Sequence, residues 1–182
     1  MKSPSETSTT IIRSRRPRAG TRTRGAVDAL QTRLAVALQT LEADTLDESL
    51  SALVDDIPEA LGCDAACIVL IDDAGSKFET VYAARTGFSQ ASSEALSGDS
   101  LDSWPWLLDR LGHLRVVEVN DTVAGSARAA DELARLNELH IGSILLTGFA
   151  VNGEIAGFMA AINDGPTEHW DASVNLLVKL FA

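Results

Sequence analysis

Two apolar runs, Ser143–Val151 and Ile155–Ile162, flank the dipeptide Asn152-Gly153, and this arrangement constrains the chain more than any other feature in it. Asn-Gly between β-competent segments is the strongest short-range signal for a hairpin, because both turn residues must take positive φ and these two do so at low steric cost. The stretch Ile141–Trp170 is therefore read as a two-strand hairpin with its flanks. Both alternating sets of the first run are apolar: Ile144, Leu146, Gly148 and Ala150 on one, Leu145, Thr147, Phe149 and Val151 on the other. A strand apolar on both faces belongs at the centre of a sheet covered on both sides. The rest of the chain must supply that cover.

With 182 residues, 46% of them hydrophobic, there is room for one ordinary domain with a real core and a tail. No apolar run approaches the roughly 20 residues of a membrane-crossing helix, and the N-terminus has no apolar signal region. A cytoplasmic protein without a membrane span is expected. Cys63 and Cys67 stand four apart near a helix-to-strand junction, too few for a disulfide framework or a structural zinc site, and read as small buried hydrophobes. The formal charge of −11 conceals an asymmetry: residues 1–26 carry seven basic side chains against Glu6, whereas the remainder carries eight against 25 acidic ones. So acidic a folded part is a poor match for a nucleic-acid backbone.

Residues 1–25, rich in Ser, Thr, Arg, Pro and Gly, are expected to be a disordered Arg-rich tail. Residues 26–44 form an amphipathic linker helix, since Val27, Leu30, Leu34, Ala37, Leu38 and Leu41 recur at intervals of three and four. Thr45-Leu46-Asp47-Glu48 has the form of a capping box that opens a second helix through Leu50, Leu53, Val54, Ile57 and Leu61, with Gly62 placed to end it. Pro58 predicts a kink in its last turn. Ala66–Ile71 and Phe78–Ala84, joined by Asp72-Asp73-Ala74-Gly75, read as a second hairpin, and Thr86–Asp99 as a long loop or short irregular elements.

Further on, Pro105 opens a helix to Leu111, Leu114–Val119 is a strand, and Ala129–Leu139 is a helix. Asp171 caps a final helix with Val174, Leu177 and Phe181 on one stripe, and the apolar pattern is still running at Ala182, which predicts a sequence cut from a longer protein. The fold class is α+β: a central antiparallel sheet of five or six strands, terminal helices on one face, and short helices and loops of residues 86–140 covering a pocket on the other.

The runs Pro105-Trp106-Leu107-Leu108-Asp109-Arg110-Leu111, Val116-Val117-Glu118-Val119-Asn120-Asp121, Ile141-Gly142-Ser143-Ile144-Leu145-Leu146 and Gly153-Glu154-Ile155-Ala156-Gly157-Phe158, followed by Trp170, resemble the GAF domain in their order and spacing. The resemblance covers residues 45–182. It implies a cytoplasmic sensory module with a small-ligand pocket, terminal helices that pair in a homodimer, and an output domain such as a diguanylate cyclase or phosphodiesterase, a histidine kinase or a transcription regulator.

Departures from the family narrow the choice. The Asn-Lys, Phe and Asp-Glu signature of cyclic-nucleotide-binding relatives is missing. Cys63 and Cys67 precede or begin the first strand, away from the pocket helix that carries the bilin-linking cysteine and from the positions used by methionine-sulfoxide-reducing relatives. Ile162 and His169 replace an acidic residue and an arginine common in this subfamily.

The candidate ligand-binding residues are Trp104, Trp106, Arg110, Ser143 and Thr147. An indole either stacks on a planar ligand or fills the core. Core filling is the stronger reading for Trp104, and the two stand level for Trp106. Arg110, four residues after Trp106 on one helix face, either meets an anionic ligand or lies at the surface beside Asp109. Ser143 and Thr147 put hydroxyls on one face of an apolar strand, where backbone or ligand must satisfy them. His113, His140 and His169 are scattered and give no metal set, and no catalytic triad, phosphate-binding glycine loop or carboxylate pair emerges. No cofactor is identified by the sequence. The function expected is a non-catalytic sensory or regulatory domain of a bacterial signalling protein, sensing an unknown small molecule, dimerising, or both. The alternative is a degenerate interaction or dimerisation module whose pocket is filled by its own side chains, for which the bulk of Trp106, Phe149, Phe158 and Met159 speaks.

Overall fold

The computed structural model describes residues 46–84, 90–113 and 116–170, together with Thr32 and Asn175, both of which are helical. The expected tail 1–25, the linker helix 26–44 apart from Thr32, and the final helix after Asp171 apart from Asn175 lie outside the described residues. Helix α1, Leu46–Leu61, precedes the hairpin of β1, Ala65–Ile71, and β2, Phe78–Ala83. Helix α2, Gln90–Leu96, a 3₁₀ turn at Leu101–Ser103 and helix α3, Pro105–Gly112, lead to β3, Val117–Val119. A second 3₁₀ turn, Ala127–Ala129, runs into helix α4, Ala130–Glu138, and the hairpin of β4, Ser143–Val151, and β5, Glu154–Asn163, completes the sheet.

The sheet has five strands in the order β2-β1-β5-β4-β3, each neighbouring pair antiparallel. Strand β5 is central, as its apolarity on both faces demands. At the turn Asn152 has φ 54° and Gly153 φ 87°, the left-handed pair that a tight hairpin requires. Gly157 is a glycine for a different reason. A Cβ there would collide with the Val69 carbonyl oxygen and stand 2.7 Å from the Phe149 ring, so the three central strands close only without a side chain at this point.

The two faces of the sheet bury separate clusters. On one, Leu53, Val54, Ile57 and Leu61 of α1 pack on Ala66, Ile68, Leu145 and Met159, with Trp170 over the same side. This is the stripe read from the sequence, and it continues through Pro58 without a break in the helix. Gly62, at φ 67°, donates its N–H to the Pro58 carbonyl at 2.9 Å and ends the helix. On the other face, Phe78, Leu96, Trp104, Leu107, Leu111 and Leu136 pack on Cys67, Val69, Phe158 and their neighbours.

Two expectations are corrected. Thr86–Asp99 contains a regular helix, α2, in place of a long loop or short irregular elements; Ser92 and Leu96, one turn apart, form its buried side, and Ser92 Oγ donates to the Leu139 carbonyl at 3.3 Å. A buried stripe made of one serine and one leucine carries no hydrophobic period to detect. The strand expected over Leu114–Val119 is, among the described residues, the three-residue β3, which pairs with Ile144–Leu146.

Candidate functional site

The layer of short helices over the second face is held by carboxylates as well as by apolar packing. Helix α3 starts with Pro105 in its first turn and Trp104 as a cap residue whose side chain makes no capping bond. The missing cap comes from α4: Glu132 Oε1 accepts from Trp106 N at 2.6 Å and Oε2 from Leu107 N at 2.9 Å. A carboxylate at a helix N-terminus meets both the free amides and the positive end of the dipole, which is why Glu132 tolerates 4% exposure.

Asp99 makes the second tie. Its Oδ2 accepts from Trp104 Nε1 at 2.9 Å and from an Arg135 guanidinium nitrogen at 3.2 Å, while Oδ1 accepts from Ser100 N at 3.1 Å. Trp104 is thus oriented by its polar edge, and its ring fills the core. It lies 6.0 Å from Phe78 at a tilt of 54°, and Phe78 stands edge-on to Phe158 at 5.5 Å.

Between this layer and the sheet remains a cavity of about 20 Å³, lined by apolar side chains and the Cys67 thiol. That is space for about one water molecule, whereas small-molecule sites generally measure about 300–1,000 Å³. Burial pushes the Cys67 thiol from its ordinary 9.0 up to about 12 and the less enclosed Cys63 thiol to about 11, with Asp64 adding a smaller upward push at Cys63. Neither sulfur is an available nucleophile at neutral pH.

On the outside of the same layer lies a crevice of about 370 Å³, walled by the two 3₁₀ turns and the first turns of α3 and α4, with Asp102, Arg128, Asp131, Glu132 and Arg135 among its lining residues. Among the described residues no three His, Cys, Asp or Glu side chains stand close enough together to hold a metal ion.

The five sequence-predicted residues divide between the two faces. Trp104, Trp106 and Arg110 gather at α3. The Arg110 guanidinium carbon lies 4.7 Å from the centre of the Trp106 ring, and Arg110 Nε is buried with no hydrogen-bond partner among the described residues. Ser143 and Thr147 lie on the opposite face of the sheet, the side of Leu145 and Met159. Ser143 Oγ donates to the Gly165 carbonyl at 2.9 Å and accepts from Asn163 Nδ2 at 3.3 Å. Thr147 Oγ1 is buried without a partner among the described residues.

The two carboxylates that organise the layer, Asp99 and Glu132, escape a sequence reading that treats acidic residues as solvated. For Glu132 a signal exists: it stands four residues before Leu136, on the buried stripe of α4.

A profile of the GAF domain family matches residues 45–182. The chain belongs to the GAF domain family. Solved GAF domains share its fold. The phycocyanobilin-bound GAF domain of a cyanobacterial phytochrome superposes with a TM-score of 0.61 at 14% identity, over 87% of this chain and 89% of that one. The GAF domain of a phosphoenolpyruvate-protein phosphotransferase from Acinetobacter gives 0.57 at 17% identity, over 87% and 89%. A domain of a protein described as a two-component sensor histidine kinase from Sinorhizobium meliloti 1021 gives 0.55 at 22% identity, over 74% and 85%. No curated protein matches the sequence. The chain therefore contains a GAF sensory or regulatory domain of the kind found in signalling proteins, and no helix among the described residues is long and apolar enough to cross a membrane.

Proposed function

We propose that this GAF domain is a non-catalytic, cytoplasmic regulatory module that acts through the packing of its helices, as a homodimer, on an output domain of the same bacterial signalling protein. The observation that carries this reading is the filled interior. Trp104, Phe78 and Phe158 occupy the space over the sheet and leave about 20 Å³, too little for a bilin of the kind bound by the phytochrome domain or for a nucleotide. Signals then travel as small shifts of the α2–α4 layer relative to the sheet, passed to the terminal segments that flank the domain. Pairing of the Ala26–Glu42 stretch and the segment after Asp171 makes the dimer. The test is the mass in solution by light scattering: Leu34→Asp is expected to convert a dimer to a monomer, and an unchanged mass contradicts the dimer.

A second reading has a specific observation in its favour. Arg110 is stacked on Trp106 with its Nε unpartnered among the described residues, an arrangement suited to a planar or anionic small molecule. Binding at Trp106 and Arg110, with Trp104 behind them, makes the domain a ligand sensor at the edge of the helical layer. Ser143 and Thr147 then serve the opposite face, where Thr147 Oγ1 awaits a donor or acceptor.

A further inference from the structure

The crevice outside the helical layer has more than ten times the volume of the interior cavity, and its charges are of both signs. Glu132 has both oxygens committed to the amides of α3, and Arg135 is paired with Asp99. The side chains of Asp102, Arg128 and Asp131 have no ion-pair partner among the described residues. Three alanines, Ala127, Ala129 and Ala130, line the same space and keep it open.

A ligand of a single charge suits this lining poorly. An anion drawn to Arg128 and Arg135 meets Asp102, Asp131 and Glu132, while a cation drawn to the carboxylates meets the two guanidinium groups. A molecule with a carboxylate and an ammonium a few ångströms apart answers both sets at once. We infer that the crevice between the two 3₁₀ turns and the first turns of α3 and α4 binds a small zwitterion, of the chemical class of the free α-amino acids. Its carboxylate pairs with the Arg128 guanidinium, whose planar fork suits it, and its ammonium lies between Asp102 and Asp131.

Arg135 links this site to the core, because it lines the crevice and also holds the Asp99 carboxylate that orients Trp104. An occupant that draws on Arg135 loosens that tie, which gives the bound zwitterion a route to the packing of the interior. This consequence rests on the proposed regulatory role, whereas the binding itself does not.

The test is a titration of the full chain, followed by the amide resonances of residues 126–135. L-Alanine is the probe, with acetate and methylammonium as carriers of one charge each. Saturable shifts with L-alanine, and none with either single-charge probe at equal concentration, are expected. Arg128→Ser and Asp131→Asn, both exposed changes, are expected to weaken the L-alanine response by about tenfold each. Absence of saturation with L-alanine, an equal response to acetate, or an undiminished response in Arg128→Ser overturns the proposal. Since the dimer is tested separately by Leu34→Asp, failure of one leaves the other standing.

Discussion

The two faces of the sheet are covered in different ways. Over one lies, among the described residues, α1, whose apolar stripe meets apolar strand residues, so that its attachment is mainly a matter of area and volume, with one side-chain bond, from Tyr82 of β2 to Asp47, beside it. Over the other lie three short helices, each too short to be stable alone. They are assembled by two carboxylates, Asp99 and Glu132, and by one tryptophan with its ring in the core and its nitrogen on a carboxylate. The lesson is that a cover of long helix tolerates gradual change, whereas a cover of short helices depends on a few specific bonds. Under the proposed regulatory role the two covers divide the work: a firm attachment on one face, and on the other a layer whose position depends on few bonds.

The contrast can be broken at several points. The largest effect is expected from Trp104→Ala, which removes the largest fully buried side chain and the Asp99 bond together, at a cost of about 3–5 kcal/mol in urea unfolding. Glu132→Ala ranks second, at about 2–3 kcal/mol, because two amides at the start of α3 lose their acceptor. A loss of only a few tenths would mean that the layer is held by apolar contact like its counterpart.

Alkaline pH provides the third probe. The Cys67 thiol is raised from 9.0 to about 12 in the folded state, so between these limits the unfolded chain releases a proton that the folded chain keeps. The Cys67 share of stability is intact below pH 9 and falls by about 1.4 kcal/mol per pH unit from there to about pH 12. Cys67→Ala is expected to remove that share of the slope in unfolding measured from pH 8 to 11, and an identical slope in both proteins contradicts the burial of the thiol. The smallest effect is that of Ile57→Val on the buried stripe of α1, about 1 kcal/mol, a pure volume change with no bond to break.

The same division governs how much is legible in the sequence. The β4–β5 hairpin can be read because Asn152-Gly153 fixes its turn by local sterics, and α1 can be read because Leu53, Val54, Ile57 and Leu61 repeat with the helical period. The opposite cover is hard to read because its determinants are long-range. Glu132 caps a helix that begins 27 residues before it in the chain, and Asp99, which holds Trp104, meets Arg135 36 residues further on. Helix α2 shows the sheet only a serine and a leucine. The period of two tells correctly that Ser143 and Thr147 share a face and are buried, but which face they share is decided by the crossing of β5 between β1 and β4. Trp104 is legible as core, and its orientation by Asp99 is not.

The space over the sheet is filled by the chain itself. Native mass spectrometry of the protein purified from its own host, repeated after denaturation of the same sample, tests it directly. The mass expected is that of the polypeptide or a whole multiple of it, with at most an adduct the size of a free amino acid. A larger molecule, such as a nucleotide or a bilin, held in the native protein and released on denaturation would contradict it.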